Sequence, residues 1–171
     1  MDNINRKIHM TRLIEESEAK ELLKAWLVGA SITSFRFGTA FSLELARPVD
    51  AHYKKSKLPE FSEMVFLEEW WLGERSEWGK KVISRGAGVE PDEPVKAFEL
   101  AKLIWSEGNI VCDVSASENS ISIKFENSEV IHILCNGEDE FAFSLTEKNE
   151  SEHLGKRSLV LSNCEYFANL C

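Results

Sequence analysis

Residues 61–79, FSEMVFLEEWWLGERSEWG, set Trp70, Trp71 and Trp78 among Glu63, Glu68, Glu69, Glu74 and Glu77. Three of the chain's five tryptophans fall in this one stretch, so it is the first place to look for binding chemistry. Aromatic anchors dominate the energy of protein interfaces, their π faces attract Arg and Lys, and carboxylates steer a basic partner inward. On an extended segment the adjacent Trp70 and Trp71 point to opposite sides, so both are buried only if both sides are covered, and otherwise one lies at the surface. The competing reading has all three rings capping the core, with solvated glutamates between them. The candidate partner-binding residues are Glu68, Glu69, Trp70, Trp71, Glu74 and Glu77.

Other chemistry-bearing types are scattered. Asp50 and His52 could supply two metal ligands from one strand face, but a site needs three or four and no second cluster is visible, so no metal is expected. His132 lies in an apolar run, where a core histidine satisfied by a hydrogen bond is the commoner case. With Cys112 or Cys135 beside it, the run could instead imitate a Cys–His pair, which leaves open an enzyme or small-ligand protein with an interior pocket near His132 and Cys112. Gly86 and Gly88 are followed by Val89-Glu90-Pro91, without a phosphate-loop or dinucleotide fingerprint. Lys80, Lys81 and Arg85 read as a solvated basic turn. No nucleophile elbow appears, and no carboxylate pair is singled out for acid–base work. The expectation is a protein that is not an enzyme, with no catalytic residue and no cofactor.

The balance of 20 Lys and Arg against 29 Asp and Glu gives a formal charge of −9 over 171 residues. Such a surface repels phosphate backbones, which argues against nucleic acid as a partner, and attracts basic proteins. Acidity that serves only solubility is the plain alternative. The N-terminal MDNINRKIHM is followed by no signal-type apolar core, and no run approaches membrane-spanning length. Cys112, Cys135, Cys164 and Cys171 form neither a CxxC nor a dense framework. Reduced thiols in a soluble, cytoplasmic protein are the simplest reading.

These residues need elements to hold them. Residues 15–28 carry Ala19, Leu22, Leu23, Trp26 and Leu27 at helical spacing, and Gly29 follows as a helix stop. Period two then takes over: Thr33, Phe35 and Phe37 share one strand face, and Phe41, Leu43 and Leu45 share another. Residues 51–90 read as an irregular insertion with a strand near residues 64–67. A second helix starts after Asp92, a plausible N-cap, with a stripe of Phe98, Ala101 and Trp105 flanked by Leu100 and Ile104. Strands follow through Ile110, Cys112 and Val114; Ile121, Ile123 and Phe125; residues 130–135; Phe141, Phe143 and Leu145; and residues 158–162. Residues 19–45 echo residues 97–125 as helix, glycine, strand and returning strand. The whole predicts one α+β domain over residues 1–171: a curved antiparallel sheet of about six strands with two helices packed on one face.

A small acidic chain of mixed helix and antiparallel strand, with no catalytic signature and an acidic aromatic segment, resembles the immunity proteins of bacterial contact-dependent growth inhibition and related polymorphic toxin systems. The strand pair around ISIKFENSEVIHIL also resembles small bacterial domains built from a strand, an Asx-type turn and a second strand. The first resemblance implies a cytoplasmic protein that binds a cognate toxin domain, often a basic nuclease, and blocks it by stoichiometric inhibition. Immunity proteins share no residue signature, so none is carried over. An adaptor subunit with no toxin involved is the other binding-module reading.

Overall fold

A computed structural model describes residues 11–37, 40–48, 60–66, 69–84, 93–135, 142–148 and 157–170. Asp50, His52, Glu68, Arg85, Gly86, Gly88, Asp92, Phe141 and Cys171 lie outside the described residues. In chain order the elements are β1 (Arg12–Ile14), α1 (Glu16–Leu27), β2 (Ser31–Phe37), β3 (Phe41–Ala46), β4 (Phe61–Phe66), β5 (Trp70–Leu72) and α2 (Arg75–Ser84). They continue with α3 (Glu93–Ile104), β6 (Val111–Ser117), β7 (Ser120–Phe125), β8 (Val130–Leu134), β9 (Phe143–Glu147), β10 (Ser158–Ser162) and β11 (Glu165–Asn169).

The α+β class and the antiparallel pairing expected from the alternation are observed. Among the described residues the strands number eleven and divide between two sheets: a seven-stranded one, β1-β11-β10-β9-β4-β3-β2, and a four-stranded one, β5-β8-β7-β6. The inner face of the larger sheet is built by Phe41, Leu43, Leu45, Met64, Phe66, Phe143, Leu145, Leu159 and Leu161. The smaller sheet contributes Trp70, Leu72, Val114, Ile121, Ile123, Ile131 and Ile133 to the same cluster. Ala19, Leu23, Trp26 and Leu27 of α1 join it, as the helical spacing predicts. Residues 51–90, expected to be irregular, contain β4, β5 and α2 among their described part.

The segments that echo each other in sequence each fold as a helix, a glycine of positive φ and a hairpin: α1, Gly29 (φ 86°), β2 and β3; then α3, Gly108 (φ 75°), β6 and β7. Their packing is reciprocal, α1 lying against β6 and α3 against β2. β2 and β6 are edge strands of different sheets, and they touch through an antiparallel bridge of Ser31 with Ile110. There the Gly29 amide donates to the Val111 carbonyl and the Val111 amide to the Ala30 carbonyl, both at 2.8 Å. Asn109 completes the seam by donating through Nδ2 to the carbonyls of Ile32 at 3.2 Å and Ile104 at 2.8 Å.

Each first strand carries a β-bulge, and the bulge corrects two expectations. The register shifts between Ile32 and Ser34 and again between Val111 and Asp113. Thr33, four positions past Gly29, and Cys112, four past Gly108, are the extra residues. A bulge reverses the parity of alternation, because two residues oppose one. Thr33 is therefore off the face that Phe35 shares with Leu43, and β6 buries Val111 and Val114 while exposing Cys112.

The α3 stripe is likewise rotated. Val95, Leu100 and Leu103 face the core, while Phe98 and Trp105 are exposed, Trp105 to 89%. Glu99 is also on the buried side, tied to Lys81 of α2 and Lys102, each at 3.2 Å.

Candidate functional site

β5 is only three residues long and pairs with β8 alone, in the register Trp70 with Ile133, Trp71 with His132 and Leu72 with Ile131. Ile131 and Ile133 are buried, so the pleat sends Trp70 and Leu72 into the core and Trp71 outward beside His132. The two adjacent tryptophans thus divide between interior and surface, as the extended-segment argument allows.

Trp70 is 2% exposed. Its ring meets Phe41 edge-on at 5.1 Å, Phe66 at 5.3 Å and Trp78 of α2 at 6.3 Å. A ring so enclosed cannot meet a partner in the folded protein. Trp70 is therefore removed from the contact set, and its role is to anchor α2 and β5 to the large sheet.

Trp71 is half-buried and held flat. Its ring stacks on the His132 imidazole at 5.1 Å with an interplanar angle of 21°, and the Arg75 guanidinium lies 4.5 Å from its centroid. Arg75 in turn pairs with Glu69 at 2.6 Å. His132 shares a hydrogen bond of 2.9 Å between Nδ1 and Ser122 Oγ. Burial lowers the His132 pKa, with the charge of Glu74 pulling the other way. The imidazole is thereby kept neutral near pH 7, as a flat support for the indole.

Glu69, Glu74 and Glu77 are all exposed. Glu77 pairs with Lys80. Among the described residues no Lys or Arg pairs with Glu74. The register extends the outer face of the four-stranded sheet from Trp71 and His132 to Ser122 and Ser115, a row of small hydroxyls beside one aromatic platform.

His132 and Cys112 do not converge. β7 separates their strands, Cys112 is exposed on the β6 bulge, and His132 points to the outer face. Ile121, Ile123, Ile131 and Ile133 fill the interior positions between them, each fully buried. Among the described residues, the interior positions where the alternative reading would put a pocket near His132 and Cys112 are thus filled by side chains. Lys80 and Lys81 belong to α2 and are engaged with Glu77 and Glu99. Among the described residues no three of His, Cys, Asp and Glu converge on a common point, and no helix is long and apolar enough to cross a membrane.

Three features escaped the sequence reading. Phe98 on α3 and Trp105, one residue past its end, are exposed aromatics, with the Lys102 ammonium 5.7 Å from the Phe98 ring. Their helical spacing was legible, but not the side on which they lie. An open cleft of about 340 Å³ is lined by Glu15, Glu16, Glu118, Glu165, Cys164 and Tyr166, among others. Cys135 and Cys164, 29 residues apart, are in contact. The chain matches no protein-family model, no curated protein and no solved structure.

Proposed function

We propose that this protein works by binding another protein: it is an immunity protein that neutralises a cognate bacterial toxin domain, a basic nuclease, by stoichiometric inhibition. The observation that carries this reading is Trp71, held between His132 and Arg75, with Glu69 paired to that arginine and the charge of Glu74 acting on that histidine. This platform offers a partly exposed indole and negative potential to an Arg or Lys of the partner, which reaches the π face by displacing Arg75. The overall charge of −9 supports the same choice, since it speeds encounter with a basic surface and repels the toxin's own nucleic-acid substrate. Inhibition by occupancy needs neither turnover nor cofactor, and it takes place in the cytoplasm, where a nuclease would act.

The test is a pull-down with tagged protein from cells that express the host's toxin genes, washed at low and at high salt. Capture of a one-to-one basic toxin domain, released as salt rises and lost with Trp71→Ala, supports the reading. Failure to capture a toxin domain sinks it. A second reading, an adaptor with no toxin involved, is favoured by the exposed Phe98 and Trp105. Its signature is a partner that survives high salt and is lost with Trp105→Ala but kept with Trp71→Ala.

A further inference from the structure

Cys135 directly follows β8 and is 2% exposed, while Cys164 occupies the two-residue turn between β10 and β11. Their Sγ atoms lie 3.1 Å apart. The Cys164 amide donates to Cys135 Sγ at 3.2 Å, and the Cys164 thiol lies 3.6 Å from the Cys135 carbonyl oxygen. The turn that brings them together is unusual. Asn163 (φ 50°) and Cys164 (φ 59°) are both left-handed, as a two-residue hairpin of primed type requires. Asn suits the first position, but the second is ordinarily glycine, and a cysteine there bears the steric cost of the left-handed region. Strain of this kind is retained where a side chain has work to do. Here it delivers Cys164 Sγ to Cys135.

The two thiols differ in access. Cys164 lines the open cleft, whereas Cys135 is enclosed. We propose that Cys135 and Cys164 form an oxidisable pair, a site of reversible disulfide modification that ties the end of β8 in the four-stranded sheet to the β10–β11 turn of the seven-stranded sheet. The co-reactant is a low-molecular-weight disulfide of the glutathione class. In the first step the Cys164 thiolate, reached through the cleft, attacks one sulfur of the reagent. A mixed disulfide forms on Cys164, the reagent's S–S bond breaks, and the departing thiolate takes up a proton. Cys135 then loses its proton and attacks Cys164 Sγ, expelling the second small thiolate, which is protonated in turn. Two protein thiols are oxidised by two electrons, and one disulfide is reduced to two thiols. Burial fixes the order, because an enclosed thiol is inert to an outside reagent but is well placed to resolve an adduct beside it. Closing from contact to a bonded separation of about 2.05 Å requires a shift of roughly 1 Å, within reach of side-chain rotation.

The experiment uses the full chain with Cys112→Ser and Cys171→Ser, which removes the other two thiols. Incubation with oxidised and reduced glutathione at several ratios is followed by acid quench, alkylation and intact mass. The expected result is loss of two hydrogens at a rate independent of protein concentration, with tryptic peptides 125–148 and 158–171 joined and then separated by excess reduced glutathione. Adding Cys135→Ala should leave a glutathione adduct stranded on Cys164. Adding Cys164→Ala should leave Cys135 unmodified. Circular dichroism checks that both variants fold. A stable glutathione adduct on the chain that keeps both thiols overturns the proposal, and so does the absence of reaction at every ratio. Those two outcomes are read on the parent chain, so they stand even if a variant fails to fold.

Discussion

Trp70 and Trp71 are chemically identical neighbours with opposite surroundings, so truncating each in turn separates core from surface. Trp70 is enclosed by Phe41, Phe66 and Trp78. Replacing an enclosed tryptophan by alanine removes its burial and leaves a cavity, at a cost of about 3–5 kcal/mol. Trp71→Ala forfeits the stack on His132, worth about 0.5–1.5 kcal/mol, and the Arg75 contact, worth about 0.5–1 kcal/mol at a half-exposed site. The sum is roughly 1–2.5 kcal/mol. Urea unfolding followed by far-ultraviolet circular dichroism distinguishes the two. With a slope of about 2 kcal/mol/M, the midpoint falls by ~2 M for Trp70→Ala and by ~0.9 M for Trp71→Ala. If Trp70→Ala leaves too little folded protein to measure, Trp70→Phe retains part of the aromatic contact and should fall between the two. Equal losses for the two alanine variants, or a larger loss for Trp71, would refute the division of β5 into a core side and a surface side.

The neighbouring titrations give further outcomes. His132 is held below the usual histidine value of 6.5 by burial. Between its folded pKa and 6.5 the unfolded chain binds a proton that the folded one refuses, so stability drops as pH falls through that window. Proton NMR should place the His132 midpoint below 6.5, and Trp71→Ala should raise it by opening the ring to water. Glu44 is held at about 2, first by the Lys148 hydrogen bond, then by Ser34, with Arg36 adding charge. Its contribution is present above the ordinary value of 4.5 and lost as pH falls toward 2, so Glu44→Gln should flatten acid unfolding across that range. Arg157 grips Glu147 through two bonds of 2.8 Å, at a site where Glu147 is nearly buried. Arg157→Ala should cost about 3 kcal/mol in chemical denaturation by stranding that carboxylate, and adding Glu147→Gln should recover part of the loss.

Local pattern was legible wherever one period ran without interruption. α1 buries the residues its spacing nominates, and β3, β7 and β9 alternate as written. Three physical effects hid the rest. Bulges at Thr33 and Cys112 reverse the parity of a strand midway, and no residue type announces them. β1 and β5 are three residues each, too short to show a period against their neighbours. In α3 both sides of the helix carry apolar side chains, so hydrophobicity alone does not choose between them. The choice falls to tertiary contacts, and the buried side includes a glutamate, Glu99, neutralised by Lys81 and Lys102. A buried charge neutralised partly from another element makes the true inner face look like the outer one. The Cys135–Cys164 contact was hidden for the same kind of reason, since it depends on a left-handed turn meeting the end of a strand in the other sheet.

Composition also overstated the charge of the candidate site. Of its described carboxylates, Glu69 is paired with Arg75 and Glu77 with Lys80, while Glu74 has no basic partner among the described residues. Exposed pairs of this kind add little stability, but they cancel much of the local field. On the proposed function, steering of a basic partner therefore rests on Glu74 and on the net charge of the whole chain, whereas close-range affinity rests on the Trp71 platform. The two contributions are separable in kinetics, because long-range charge acts on association and packed contacts act on dissociation. Glu74→Lys should slow association at low salt and converge with the parent chain as salt rises. Trp71→Ala should leave association nearly unchanged and speed dissociation at every salt concentration. If Glu74→Lys acted on dissociation instead, Glu74 would be a direct contact, and the site would have to be redrawn from the α2 side of the ring.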